Sequence, residues 1–323
     1  SGASNFWNST TPTSSIFTIG SSDVVNGNGN TYIAYLFAHD AGGFGVSGTD
    51  NVITCGSFTT DGSGAASVTL GYEPQWVMQK RTDSSTGGNW YIADNMRGMN
   101  VRGSRGLFPN LTDTEETTDQ GPARINATGF TADRFANATY IYVAVRRGPM
   151  AVPTDSTKVF KPVTATAANN LSVTAGFPVD LAFVENRVDG INRNVNDRLR
   201  GGTTTAIYPL EAKSTGSETG FTYIGNGIGF TNNSTGIIDN FTNFNQGASS
   251  MVYWMFRRAP SYFDEVCYTG TGSARTVTHN LAAVPELMII KSRSQVINWI
   301  VWSKSGTQRN DYCAFLNGAA NYG

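Results

Sequence analysis

Charge is scarce in this 323-residue sequence. Asp, Glu, Lys and Arg make up 15% of it and the formal net charge is -1. No basic field is present to hold a phosphate backbone, so nucleic-acid binding is not expected. Histidine is scarcer still: only His39 and His279 occur, and neither stands in an HExxH or comparable metal-ligand spacing. The cysteines Cys55, Cys267 and Cys313 are too few and too scattered for a disulfide framework or a zinc site, and read as buried free thiols. No apolar run approaches the roughly 18–20 residues of a membrane span, and no basic-then-apolar leader opens the chain. A nucleophile elbow, a P-loop and a dinucleotide-binding glycine fingerprint are missing too. The ends, "SGASNFW" and "NGAANYG", read as the edges of a piece of a longer or processed protein.

Gly, Ser, Thr and Asn are plentiful, with 36 glycines, and aromatic residues reach 11%. That mixture suits short strands joined by tight turns. The strands also repeat. "TYIYVAVRRGP" (Thr139 to Pro149) returns as "SMVYWMFRRAP" (Ser250 to Pro260), and "TYIAYLFAHDA" (Thr31 to Ala41) keeps the apolar pattern without the arginines. A second word, "SVTLGYEPQWVMQKR" (Ser67 to Arg81), matches "TVTHNLAAVPELMIIKSR" (Thr276 to Arg293), with a looser copy at "LSVTAGFPVDLAFVENR" (Leu171 to Arg187). The prolines Pro74, Pro178 and Pro285 lie 104 and 107 residues apart. A period of about 105 residues is long enough for each copy to bury its own core.

The strand words are rich in β-branched and aromatic residues and bounded by Gly, Pro or Asn, and no long window carries a helical stripe. The expected fold is therefore all-β: tandem antiparallel β-sandwich modules of about 105 residues, jelly-roll or lectin-like in topology. Residues 41–149 and 150–260 would be complete modules, the second divergent. Residues 261–323 carry the first half of a module and 1–40 the complementary second half. The continuous apolarity of "YIYVAVRR" predicts a strand covered on both faces. Arg146, Arg147, Arg257 and Arg258 close two of these strands, where their guanidiniums are expected to bond carbonyls at the module junction.

Two groups of residues are candidates for chemistry. "LTDTEETTDQ" places Asp113, Glu115, Glu116 and Asp119 close together. Hard oxygen ligands at such spacing could hold Ca²⁺, although the EF-hand glycine is missing and a solvated acidic loop is the simpler reading. Trp90, Tyr91, Trp299 and Trp302 follow the Lys-bearing strands, where a sugar ring could stack; Trp299 and Trp302 are more simply core residues of a strand. No catalytic residue and no cofactor are indicated.

The composite formed by "YTGTGSARTVTHNLAAVPELMIIKSRS", "NWIVWSKSG" and "FWNSTTPTSSIFTIGSSDVVNGNGNTYIAYLFA" resembles a repeated module of tail-fibre and other virion-surface proteins of tailed phages, marine ones especially. In those proteins it often stands beside concanavalin-like, laminin-G-type domains. The resemblance implies an extracellular β module on a phage tail or appendage, structural or adhesive in role. Its expected partners are other copies of itself in a homo-oligomer, a trimer or a fibre, other virion proteins, and a host cell-surface glycan. Two rivals stand beside that expectation: a polysaccharide-degrading tail depolymerase, and a filament subunit that polymerises head to tail by strand complementation.

Overall fold

A computed structural model of the chain describes residues 2–116, 123–148, 151–166, 168, 171–188, 194–200, 210–211, 228–229, 236–239, 250–295, 297–304, 313–316 and 321–322. The chain divides into two compact units, Ser1–Ala38 and His39–Gly323. The larger unit is antiparallel β-structure throughout its described ladders, the all-β class expected from the strand and turn words.

Its first seven strands are β1 (Ile53–Thr59), β2 (Ala65–Thr69), β3 (Pro74–Arg81), β4 (Trp90–Asp94), β5 (Ala123–Asn126), β6 (Gly129–Asp133) and β7 (Thr139–Arg146). They form a four-stranded sheet in the order β1-β7-β3-β4 and a three-stranded sheet in the order β2-β6-β5. Val77, Ala144 and Tyr142 from one sheet and Val68, Phe130 and Ile125 from the other share one buried core. Alternate side chains of each sheet point into it, as a two-layer sandwich requires. The "TDGSG" turn forms as its chemistry dictates: Asp61 Oδ1 accepts from the Ser63 and Ala65 amides at 2.8 and 3.0 Å, and Gly64 adopts φ +90°. Gly129 permits a close approach of β6 to β2, because a Cβ there would sit 1.9 Å from the Val68 carbonyl oxygen.

The next eight strands are β8 (Phe160–Thr166), β9 (Leu171–Thr174), β10 (Leu181–Asn186), β11 (Asn194–Asp197), β12 (Leu210–Glu211), β13 (Ile228–Gly229), β14 (Gly236–Asp239) and β15 (Ser250–Phe256). Read from β8, one sheet runs β8-β15-β10-β11-β12 and the other β9-β14-β13. Strand for strand this is the order of the first group, with β12 added at the edge. Val184, Met251 and Tyr253 meet Val173 and Ile237 in its core. The last described sheet is β16 (Leu287–Ile290), β17 (Ile300–Ser303), β18 (Cys313–Phe315) and β19 (Asn321–Tyr322), paired in that order.

Two expectations need correction. Strand β7 is covered on one face only: Tyr140, Tyr142 and Ala144 are buried, whereas Ile141 is 40% exposed. Continuous apolarity here reflects strand propensity on the outer face, not burial. The "TYIAYLFAHDA" word, expected to be a strand, makes no ladder; Thr31–Ala38 has no strand structure, and Ile33, Tyr35 and Leu36 are each at least 75% exposed. A strand is held by its neighbours, and among the described residues Thr31–Ala38 is paired with none. The small unit that contains it is built from α1 (Gly2–Trp7) and α2 (Asp23–Asn26). Ser22 caps α2, Gly20 N donates to Phe6 O at 2.7 Å, and Tyr32 Oη donates to Asp23 O at 2.7 Å.

Candidate functional site: a buried ionic joint and an open strand edge

The arginines that end β7 and β15 converge. Arg258 is 1% exposed. Its Nη1 donates to Glu73 Oε2 at 2.9 Å, its Nε lies 3.6 Å from Asp180 Oδ1 and 3.8 Å from Glu265 Oε2, and its amide donates to Asp180 Oδ2 at 2.7 Å. Arg147 reaches Glu73 Oε1 at 3.3 Å and Asp264 Oδ1 at 3.4 Å, and its amide donates to the Glu73 carbonyl at 2.9 Å. Arg198 lies 3.7 Å from Asp180 and donates twice to the Val179 carbonyl, at 3.0 and 2.7 Å. One network thus joins residues from the first strand group (Glu73, Arg147), the second (Asp180, Arg198, Arg258) and the segment that follows β15 (Asp264, Glu265).

Apolar packing crosses the same joint. Leu199 belongs to the core of the first sandwich, with Cys267 packed against it, and its carbonyl accepts from Val101 N at 3.1 Å. Arg146 plays a lesser, local part: it pairs with Asp50 at 3.0 Å and lies 5.5 Å over the Tyr72 ring. Arg257 donates its amide to Val159 O at 2.8 Å. The arginine pairs were expected to bond carbonyls. Arg147 does reach Gly148 O at 3.2 Å, but its principal partners, and those of Arg146 and Arg258, are carboxylates. The physical reason is burial, since a guanidinium removed from water requires a counter-charge.

The carboxyls of the joint respond unevenly to burial. Glu73, Asp180, Asp197, Asp264 and Glu265 face Arg147, Arg198, Arg200 and Arg258. Burial alone would raise the Asp180 pKa, but Arg258, Arg147 and Arg198 outweigh it and hold that carboxyl below its ordinary range. Glu265 shifts the opposite way. Burial, reinforced by Asp197 and Asp180, pushes its pKa well above the ordinary value against the pull of Arg258 and Arg200. Burial likewise pushes the Cys267 thiol up to about 12, which keeps it protonated and non-nucleophilic. Cys55 is also a free thiol, and the Cys313 side chain lies outside the described residues.

One motif of the joint escaped sequence reading. Asp94-Asn95-Met96-Arg97-Gly98 and Asp197-Arg198-Leu199-Arg200-Gly201 stand 103 residues apart. In each, the arginine amide donates to the aspartate, at 2.9 and 2.7 Å, and its Nε donates to the other oxygen of the same carboxylate. Its Nη2 donates to the carbonyl two residues before that aspartate, Ile92 or Val195, at 3.3 and 2.9 Å. The spacing Asp-x-x-Arg-Gly at one period was the available signal. The first copy ties Arg97 also to Glu115 at 3.1 Å.

That pairing places Glu115 in a salt bridge. Asp113 is exposed and Asp119 lies outside the described residues. Glu116 is partly buried, and burial raises its pKa. Among the described residues, no group of three or more His, Cys, Asp and Glu has the geometry to hold a metal ion. His39 Nδ1 accepts from Cys55 N at 3.2 Å and His279 Nδ1 from Leu281 N at 3.3 Å, so each imidazole serves a local backbone amide.

The aromatic candidates separate. Tyr91 is 2% exposed and shares a hydrogen bond with Ser104 at 2.9 Å, and Trp299 is 5% exposed against Val195, Leu181 and Phe183. Neither offers a ring face to a sugar, which corrects that expectation for both. Trp90, with Lys80 Nζ at 6.0 Å from its ring centroid, and Trp302, paired with Met288, are partly exposed.

The second feature is an edge. β16 lies at the end of its sheet, and its one described strand partner is β17. All four of its residues, Leu287, Met288, Ile289 and Ile290, are exposed. No helix among the described residues is long and apolar enough to cross a membrane.

No curated protein and no solved structure matches the chain. One family model does, over residues 1–149 and 155–322, two stretches that meet at the junction between the first and second strand groups. The chain belongs to the family described as a domain of unknown function, DUF7483.

Proposed function

We infer that this protein is a structural and adhesive component of a phage fibre or virion appendage. One observation carries the reading: two consecutive sandwiches with the same strand order are joined through a buried ionic network and through Leu199, which packs into the core of the first. An extended appendage needs repeated units that keep a fixed relation, and a joint sealed from water resists the hinge motion that an exposed linker would allow. Repetition also multiplies weak contacts, so several low-affinity glycan contacts sum to useful avidity. Of the four aromatic candidates, Trp90 and Trp302 are the two left partly exposed for such contacts.

The test is a binding and turnover assay of the purified chain against a panel of bacterial capsular and O-antigen polysaccharides. Binding that strengthens when the chain is clustered on a bead, with no release of new reducing ends, is the expected result. Release of reducing ends would replace the adhesive reading with that of a depolymerase.

A further inference from the structure

The connections at one end of the first sandwich gather a second cluster of side chains. Arg134 follows β6, Lys80 and Arg81 end β3, and Trp90 begins β4. Phe108 packs edge-on against Tyr91, with ring centroids 5.8 Å apart. The Arg134 guanidinium lies 6.0, 5.8 and 5.6 Å from the ring centroids of Tyr91, Phe108 and Phe135. Phe135 carries Arg81 at 5.2 Å as well, and its ring lies so close to Gly87 that a Cβ there would come within 2.2 Å of it. Arg134 itself is exposed.

Charge sets this cluster apart. Its acids are engaged: Asp83 is held by Arg81 at 2.7 Å, Asp133 pairs with Arg124 at 3.0 Å, and Asp61 accepts from its own turn. Burial raises the Glu116 pKa and Arg134 opposes it, but no ion pair joins the two. Among the described residues Arg134 makes no ion pair and no side-chain hydrogen bond. Lys80 Nζ donates to the Gly88 carbonyl and likewise has no carboxylate partner among them. Stacking on rings holds a guanidinium by its faces and leaves the N–H groups at its edge open. Such a fork matches a carboxylate, which it binds through two parallel bonds. The arginine is also particular to this sandwich. β14, the counterpart of β6, is followed by Asn240-Phe241-Thr242. The repeated residues build the scaffold, and Arg134 is not one of them.

We propose that Arg134 and the rings around it bind an acidic sugar, its carboxylate on the guanidinium fork and its C–H face against the neighbouring aromatic surface. The proposal rests on the adhesive reading and names the class of glycan that reading requires. Two carboxamides beside Trp90 extend the surface. Trp90 N donates to Asn110 Oδ1, and Asn110 Nδ2 donates to Asn89 Oδ1, each at 2.8 Å. Asn89 and Asn110 are exposed, and this arrangement leaves Asn89 Nδ2 to donate to a sugar hydroxyl. Lys80, 6.0 Å from the Trp90 ring centroid, supplies a second positive charge. A polymer with a carboxylate on successive sugars would meet both cations. A nucleic acid fits poorly, since two cations on a chain of net charge -1 neutralise too few phosphates.

Titration calorimetry of the full chain tests the site with tetragalacturonate, tetrasialic acid and the methyl ester of the first. The ester keeps every ring and loses the charge, so it is expected to bind at least about tenfold more weakly than the acid. A glutamate tetrapeptide carries the charge without the rings and is expected not to bind. Arg134→Gln should weaken binding of the acidic sugar by about 10- to 100-fold, as loss of a charged hydrogen-bonded pair does. Arg134→Lys should restore part of that loss, because an ammonium keeps the charge and lacks the fork. Both variants change an exposed residue, and thermal unfolding matching the parent separates a lost contact from a lost fold. Equal binding of the glutamate peptide would overturn the assignment to a sugar. Failure of both acidic oligosaccharides to bind, or binding that Arg134→Gln leaves unchanged, would overturn the site. If dextran or another neutral polysaccharide is then still bound, the adhesive reading stands without it. A chain that binds neither acidic nor neutral glycans would overturn both.

Discussion

Strands β3 and β16 begin on the same word, a proline followed by an apolar run and a lysine, and end in opposite surroundings. Val77 is 0% exposed, and Met288, at the equivalent position, is 38% exposed. Local sequence does not explain the contrast, since both words are apolar and both fold as strands paired to the segment that follows. What differs is closure. β3 has β7 beside it and a second sheet over it, whereas β16 has one described neighbour. Strand formation is thus a property of the hairpin, and burial a property of the whole sandwich.

The largest effect expected is at the joint that the complete sandwiches share. Arg258→Ala would leave Glu73 and Asp180 buried without their principal counter-charge, a loss of about 3–5 kcal/mol for a broken buried pair. Hydrogen exchange should show it as faster opening of β3, β7, β10 and β15, with β16 and β17 unchanged. Equal loosening of β16 would show that the open sheet depends on the joint, and the contrast drawn here would fail.

A matched pair of truncations comes next. Val77→Ala removes fully buried methyl groups and is expected to cost roughly 1–3 kcal/mol in denaturant unfolding of the first sandwich. Met288→Ala, at the equivalent position of β16, is expected to leave the isolated chain's stability unchanged within about 0.5 kcal/mol. A stability loss at Met288 matching that at Val77 would mean that β16 is already covered in the single chain.

How much of this was legible in the sequence follows from the same physics. The strand words, the "TDGSG" turn and the all-β class were readable because alternation and turn chemistry act over a few residues. The ionic joint was only half readable. Arg147 and Arg258 drew attention through their repetition, but Glu73, Asp180, Asp264 and Glu265 are single carboxylates in unrelated contexts. Their meeting is a consequence of three-dimensional packing. Tyr91 and Trp299 could be read as sugar platforms or as core residues, because an aromatic residue in a strand looks the same from either face; the register that turns one inward is set by its neighbours.

The pH response separates two carboxylates of that joint with opposite signs. Asp180 titrates lower in the folded chain than in the unfolded one. Its contribution is therefore present above the ordinary carboxylate range and is lost as pH falls through its depressed value. Glu265 titrates higher when folded, so its contribution is full below the ordinary glutamate range and is lost as pH rises through its raised value. Glu265→Gln removes the second limb alone. Thermal unfolding of this variant is expected to match the parent in mild acid and to exceed it at neutral and alkaline pH. A variant less stable than the parent above neutrality would mean that Glu265 is ionised and paired with Arg258.

The smallest expected effect tests whether position or residue type gives these arginines their weight. Arg146 and Arg147 are neighbours in sequence, yet Arg146 pairs with Asp50 near solvent whereas Arg147 is enclosed with Glu73 and Asp264. Arg146→Ala should cost about 0–1 kcal/mol and lose part of even that in high salt, as exposed pairs do. Its stacking on Tyr72 sets the upper end of that range, since the ring would lose cover as well as charge. A loss as large as that of Arg258→Ala would place Arg146 inside the buried network. The joint would then extend outward to Asp50, and the complete sandwich would owe more of its rigidity to its rim than to the junction beneath it.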